Sequence, residues 1–225
     1  MSKLKILALD TSTEACSAAL LAKGSAQSRY QYAPRQHTQL ILPMLQSLLD
    51  DAQITLKQLD VLAFCQGPGS FTGSRIAASI IQALAFALDK PVVGVSTLHC
   101  LAQGAYRTLQ ATQIFAAMDA RMNQVYWGTY VLGAQNLLEV RDPDQISNLT
   151  AIKPACFEKG VGVGSAWPVY GLFLAEQLKQ QLQGCALQRY PSAYDILALA
   201  EQAYERGEGV SAEKALPVYL REKVV

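Results

Sequence analysis

Histidine is nearly absent: the chain has two, His37 and His99, too far apart to form an H-x-x-x-H or H-E-x-x-H pair on one helix face. A helical zinc site of the metalloprotease kind is therefore not expected, and no metal-binding residues are assigned. The five cysteines (Cys16, Cys65, Cys100, Cys156 and Cys185) are odd in number and widely spaced, with no C-x-x-C among them. That argues against both a disulfide framework and a thiolate metal centre, and the cysteines read as reduced core residues. Charge is scarce too, with 16% charged residues and a net charge of +1. The basic residues are scattered, so independent binding to tRNA or DNA is not expected, since phosphate neutralisation supplies most of such affinity. There is no G-x-S-x-G elbow. The longest apolar stretch, residues 76–88, falls short of the roughly 20 residues of a membrane span and contains Gln82. Asp10 ends the first apolar run too early for a signal peptide, so a cytoplasmic location without membrane contact is expected.

What the chain does have is a glycine loop, Cys65-Gln-Gly-Pro-Gly-Ser-Phe-Thr-Gly-Ser-Arg75, between an apolar strand at residues 61–64 and an apolar helix. Gly67, Gly69 and Gly73 permit tight or left-handed backbone, Pro68 fixes one φ, and Ser70 or Thr72 can cap the helix that follows. Unpaired amides at a helix start attract anions, which makes the loop a candidate phosphate cradle. It matches neither the P-loop spacing nor the dinucleotide pattern. The alternative is that the glycines only let strand, turn and helix pack closely.

At 225 residues the chain suits one large or two small domains and should bury roughly 70% of its unfolded surface. A strand at residues 4–9 stops at Asp10-Thr-Ser-Thr13, whose side chains favour a turn. Strands at 15–22 and 25–32 complete an antiparallel meander. Leu40, Ile41, Met44, Leu45, Leu48 and Leu49 then recur at three- and four-residue steps, predicting an amphipathic helix over 37–52 that tolerates Pro43 in its first turns. After the glycine loop and its helix come a buried strand at 91–95 and a helix over 97–109. The second half repeats the plan: strands at 114–118, 125–131 and 137–141, a short helix over 143–149, a strand over 160–164 ending in a glycine turn, and helices over 169–183 and 194–206.

Each half thus runs strand to aspartate, hairpin, helix, then strand to glycine turn, a self-similarity that predicts an α/β protein of two duplicated lobes with mixed sheets flanked by helices. The lobes are expected at residues 1–102 and 103–225, with Pro217 to Arg221 a candidate to return to the first. This arrangement resembles the superfamily of sugar kinases, heat-shock seventy chaperones and actin (the actin-like ATPase, ASKHA, ribonuclease H-like fold). There, paired turns hold nucleotide phosphates and a magnesium ion in a cleft, which Asp10, Thr11, Thr13 and Asp119 would face here. The candidate nucleotide- or phosphate-binding residues are accordingly Asp10, Thr11, Ser12, Thr13, Gly67, Gly69, Ser70, Thr72 and Gly73. No cofactor is expected, with weak nucleotide binding left open.

The segments Ile6-Leu-Ala-Leu-Asp-Thr-Ser-Thr-Glu-Ala-Cys-Ser-Ala-Ala-Leu20, Pro34-Arg-Gln-His-Thr-Gln-Leu-Ile-Leu-Pro-Met44, Gly67-Pro-Gly-Ser-Phe-Thr-Gly-Ser-Arg-Ile-Ala77 and Met118-Asp-Ala-Arg-Met-Asn-Gln-Val-Tyr-Trp127, with Pro217-Val-Tyr-Leu-Arg221, resemble the TsaB (YeaZ) family over nearly the whole chain. The resemblance implies a non-catalytic subunit in the bacterial formation of threonylcarbamoyladenosine beside the anticodon of tRNAs reading codons that begin with A. It implies pairing with TsaD, whose metal is held by a histidine pair that this chain lacks, alongside the ATPase TsaE. tRNA would be met only through that complex, and a homodimer is expected in isolation. The implied contact surface is the pair of first-lobe helices, with His37, Leu40, Ile41, Met44, Leu45, Leu48, Leu49, Phe71, Ala77, Ala78, Ile81, Leu84 and Ala85 as candidate interface residues. The second of these helices is apolar nearly all round, so one face should pack on its own sheet and another on a neighbour. Two other readings stand beside this one. One is a small-molecule kinase or ATPase using Asp10 and the glycine loop; the other is a peptidase of the glycoprotease type.

Overall fold

The computed structural model describes residues 4–152, 159–186 and 190–221, so Cys156 lies outside the described residues. In chain order they form β1 (Ile6–Asp10), β2 (Ala15–Ala22), β3 (Ser25–Tyr32), α1 (His37–Ala52), β4 (Val61–Gly67), α2 (Phe71–Leu88), β5 (Val92–Ser96), α3 (Thr97–Leu109), β6 (Gln113–Asp119), β7 (Gln124–Leu132), β8 (Leu138–Asn148), β9 (Gly160–Val163), α4 (Trp167–Leu178), β10 (Leu182–Cys185) and α5 (Ala193–Glu205). Two compact units divide the chain: Met1–Cys100 with Ser192–Val218, and Leu101–Pro191 with Tyr219–Val225.

In the first unit β1 is the central strand, antiparallel to β2 and parallel to β4, and the sheet order is β3-β2-β1-β4-β5. Ile6, Leu7, Ala8 and Leu9 are all fully buried. This explains why the strand reads as an unbroken apolar run rather than an alternation. Ile41, Leu45, Leu48 and Leu49 of α1 join Ala77, Ala78, Ile81 and Ala85 of α2 in one core cluster with Leu7, Leu9, Leu62 and Phe64. α5 packs against β1, β2, β4 and β5, and the amide of Ala193 donates to Ser17 Oγ at 2.9 Å. Val210 bridges antiparallel to Val92, and the Val218 amide reaches the Gln66 carbonyl at 2.7 Å.

The second unit repeats this order as β8-β7-β6-β9-β10, with β6 central, antiparallel to β7 and parallel to β9. Phe115 and Trp127 stack with ring centroids 5.9 Å apart, and the Trp167 indole donates to the Phe115 carbonyl at 3.2 Å. The duplication extends to backbone detail. Gly67 at the end of β4 and Gly164 just after β9 have φ of +110° and +111°, a region side chains avoid.

Several expectations differ from the structure. The unit boundary falls at residues 100/101 rather than 102/103, and residues 192–218, including α5, belong to the first unit rather than the second. Of the closing motif, Pro217 and Val218 lie with the first unit and Tyr219 onward with the second. The short helix expected over 143–149 is strand: β8 runs unbroken to Asn148. Pro143 is tolerated there because β8 is an edge strand and its register shifts between the partners Trp127 and Thr129. The helix expected over 169–183 ends at Leu178, and the chain returns as β10.

Candidate functional site

Asp10 ends β1 by accepting the Ser12 amide on Oδ1 at 2.9 Å, a side-chain-to-backbone turn. Asp10, Thr11 and Ser12 are completely buried, and Thr13 nearly so. The glycine loop rests directly on this turn. A Cβ on Gly69 would stand 2.3 Å from the Ser12 carbonyl oxygen, and one on Gly73 2.0 Å from that of Thr11. The Ser70 amide donates to the Ser12 carbonyl at 2.7 Å, the Thr11 hydroxyl to the Gly73 carbonyl at 2.7 Å, and the Gly73 amide to the Ser70 hydroxyl at 3.2 Å. Ser70, rather than Thr72, is therefore the cap of α2. The Ser70 and Gly73 amides are engaged within the chain. Of the expected phosphate cradle, Asp10, Thr11, Ser12, Thr13, Gly67, Gly69, Ser70, Thr72 and Gly73, the structure packs the Asp10–Thr13 turn directly against the glycine loop. Gly69 and Gly73 serve close backbone approach, a Cβ on Gly67 would meet the Val218 carbonyl oxygen at 2.7 Å, and Thr72 faces outward beside α1.

Among the described residues, Asp10 Oδ2 is buried with no hydrogen-bond partner. Burial pushes the carboxyl up to about 6, against the lowering effects of Ser12, the Cys65 thiol and the His37 charge. The Cys65 thiol is near enough to act on the carboxyl without completing a bond to Oδ2. Burial likewise raises Cys65 well above the usual thiol range, raises Cys100, and lifts Cys16 to about 11. These thiols have little nucleophilic character near neutral pH. His37 opens α1 with Nε2 held by the Thr13 and Ala15 carbonyls at 2.8 and 3.2 Å. Among the described residues no three His, Cys, Asp or Glu side chains converge as a metal site.

On the other side of α1 and α2 lies a groove of about 540 Å³, lined by Thr38 and Leu42 of α1 and by Phe71, Arg75, Ile76 and Ile80 of α2. The outward stripe of α2 runs through Phe71, Thr72, Arg75, Ser79, Ala83, Phe86 and Ala87, with Arg75 its one charge. Phe86 is 78% exposed, and the Arg75 guanidinium lies 3.6 Å from the centroid of the Phe71 ring. By length and composition α2 could cross a membrane, yet its inner face is buried in the core of the first unit.

These positions correct most of the interface assignment. Ile41, Leu45, Leu48, Leu49, Ala77, Ala78, Ile81 and Ala85 are sealed in the core of their own unit, because the apolar stripe of an amphipathic helix first covers its own sheet. Leu40, Met44 and Leu84 are partly buried against the same core, and His37 is turned to backbone carbonyls. Phe71 alone of the assigned set is a large apolar side chain exposed at the groove. Leu42, Ile76 and Ile80 line the groove and Phe86 is exposed on the same helix as Ile76 and Ile80, all outside the expected set. The signal was present, since Leu42 is an apolar residue off the inner stripe of α1.

A family model described as TsaD, tRNA N6-adenosine threonylcarbamoyltransferase, matches residues 30–221. The chain is 38% identical to the tRNA threonylcarbamoyladenosine biosynthesis protein TsaB of Escherichia coli strain K12, over 98% of this chain and 96% of that protein. It is 39% identical to TsaB of Haemophilus influenzae, over 100% of this chain and 96% of that protein. A solved structure, YeaZ from Pseudomonas aeruginosa, superposes with a TM-score of 0.90 at 45% identity, covering 96% of this chain and all of that one. With the same duplicated sheets and matches along its whole length, the chain belongs to the TsaB (YeaZ) family.

Proposed function

We propose that this chain is a non-catalytic subunit in the formation of threonylcarbamoyladenosine on tRNA, working in the cytoplasm. It docks through the outer face of α1 and α2 onto a TsaD-type chain, in a system that also includes TsaE, and meets tRNA only through that complex. The observation that carries this reading is the outer stripe of α2, an 18-residue helix with a single charged side chain and with Phe71 and Phe86 exposed near its two ends. Between them Ser79 and Ala83, and just beyond Phe86 Ala87, are small and exposed, so another helix can approach closely. A contact covering about 800 Å² on each partner would be of standard stable size. Without the partner, a second copy is expected to use the same surface.

Several features support a non-catalytic role. The Cys16, Cys65 and Cys100 thiols are buried and raised, His37 is spent on backbone carbonyls, and the Ser70 and Gly73 amides of the glycine loop are paired within the chain. The kinase or ATPase and peptidase readings draw no comparable support. The test is reconstitution with TsaD-like and TsaE-like proteins of the same cell, omitting each component in turn. Ser79→Arg and Phe86→Asp alter exposed side chains and should leave thermal stability within about 0.5 kcal/mol of the unaltered chain. They are expected to abolish co-elution with the TsaD-like protein and with it tRNA modification. Undiminished modification by a folded double variant refutes the docking reading, and turnover of ATP or peptide by the isolated chain refutes the non-catalytic one.

A further inference from the structure

The Asp10 carboxyl has no part in the docking surface, yet it sits where both docking helices begin. Its Oδ1 holds the Ser12 amide at 2.9 Å, and the turn it shapes makes four further bonds outward. The Ser12 carbonyl takes the Ser70 amide at the cap of α2, and the Thr11 hydroxyl donates to Gly73 in its first turn, each at 2.7 Å. The Thr13 and Ala15 carbonyls hold the ring of His37, the first residue of α1, at 2.8 and 3.2 Å. One buried turn therefore ties down the leading ends of the two helices that form the groove. At its root is a carboxyl with one oxygen buried and unpartnered.

We propose that Asp10 is a positioning residue for the docking groove and makes docking proton-linked. When its carboxyl is neutral the turn clasps α1 and α2, and when it is ionised the turn loosens and a TsaD-type partner binds less tightly. This rests on the docking reading above. An ionised carboxylate excluded from water with an open acceptor is costly, and the local remedy is to let the turn open and hydrate. Burial places the titration at about 6, within the range cells experience. The Ser12 hydroxyl and amide, the Cys65 thiol and the His37 charge compensate only in part, since burial still raises the carboxyl. The titratable groups acting on Asp10 or acted on by it are Cys65 on β4, Cys16 on β2, Tyr30 on β3, Cys100 on α3 and His37 on α1. Asp195 on α5 adds negative charge beside Cys100, and the one charge on α2, Arg75, lies over Phe71 on the outer face. In this set the Cys65 thiol and the His37 charge favour the ionised form, and burial outweighs both.

The experiment measures the affinity of the full chain for its TsaD-like partner from pH 5.5 to 8, for the unaltered protein and for Asp10→Asn. Asparagine keeps the acceptor for the Ser12 amide and cannot ionise. Titrations on the partner affect both proteins equally, so the ratio of the two dissociation constants isolates Asp10. That ratio is expected to rise at least fivefold between pH 5.5 and 8, with faster hydrogen exchange at the Ser70 and Gly73 amides of the unaltered chain while α5 stays protected. A merely structural Asp10 would shift global stability without this selective opening. Parallel pH curves for the two proteins overturn the inference and leave docking intact, whereas no binding at any pH overturns docking and the inference together. Should Asp10→Asn fold poorly, the Ser12 amide resonance of the unaltered chain takes its place. Its pH midpoint must coincide with that of docking, and a mismatch sinks the proposal.

Discussion

The two units end their central strands in the same device and surround it differently. Asp10 accepts the amide two residues on at 2.9 Å, and Asp119 accepts that of Arg121 at 2.8 Å. Around Asp119 the protein supplies partners for the charge: the Arg121 guanidinium at 3.4 Å and the Tyr170 hydroxyl at 3.4 Å, with the Ser165 hydroxyl on the backbone amide. Around Asp10 it supplies the Ser12 hydroxyl and amide, the Cys65 thiol and the more distant His37 charge, and no water-accessible surface. The backbone turn is thus separable from the chemistry of its carboxylate. In the second unit it is a partly accessible ionic corner; in the first it is a buried brace on which a glycine loop and two helices rest.

If the first turn is a brace, crowding it should have the largest effect. Gly73→Val forces a Cβ to 2.0 Å from the Thr11 carbonyl oxygen, a contact between two backbones that no side-chain rotation relieves. It should cost at least about 3 kcal/mol and lower the melting temperature by roughly 6–12 °C. Gly171→Ala in the second unit meets nothing within 4 Å and should leave the melting temperature unchanged or raise it slightly, through the better helix propensity of alanine. Equal effects of the two in a thermal melt would remove the distinction between brace and surface.

The aspartates themselves should differ next, and with pH. The folded value for Asp10, about 6, lies above the 3.8 of an unperturbed carboxyl, so its contribution to stability is fully present below about 3.8 and is lost as pH rises through 6. Asp10→Asn should accordingly stabilise the protein at pH 8 by up to about 3 kcal/mol relative to its effect at pH 4, as read by denaturant titration. Asp119→Asn loses a pair whose arginine is 81% exposed, and should change stability by no more than about 1 kcal/mol. If the two substitutions share one pH profile, burial is not what separates the turns.

The thiols give the smallest contrast. In a chain with Cys156→Ser, an aromatic disulfide reagent should label the exposed Cys185 of the second unit within minutes and leave Cys16, Cys65 and Cys100 of the first unreacted until the protein unfolds. Early loss of a second thiol would mean that the first core opens more readily than its packing indicates.

Much of this was legible before the structure, and the reasons for the remainder are physical. The aspartate turns, glycine turns and central strands stood out because buried strands and sharp turns restrict composition locally. Residues 143–149 read as a helix in sequence yet continue β8 as far as Asn148, because a proline's meaning depends on whether its strand lies at a sheet edge, and edges are not local properties. The strand Leu182–Cys185 is four residues long and follows a helix closely, too short for any period to declare itself. At the site, apolar periodicity correctly located α1 and α2 but marked their inner faces. The same hydrophobicity serves core and partner, and only the three-dimensional packing separates Ile81 from Phe86. The glycine loop was ambiguous for a related reason, since glycines that admit a phosphate and glycines that admit another backbone look alike in one dimension.

The return of residues 192–218 to the first unit bears on how the protein is made. Because α5 lies against β1, β2, β4 and β5, the leading sheet cannot be covered until residues 193–205 have left the ribosome. During synthesis that sheet must wait with one side bare, a period in which nascent chains are open to aggregation or chaperone capture. A fragment halted at residue 102 would remain in that unfinished condition, whereas a circular permutant that places residues 192–218 ahead of β1 would let the leading unit close as it emerges.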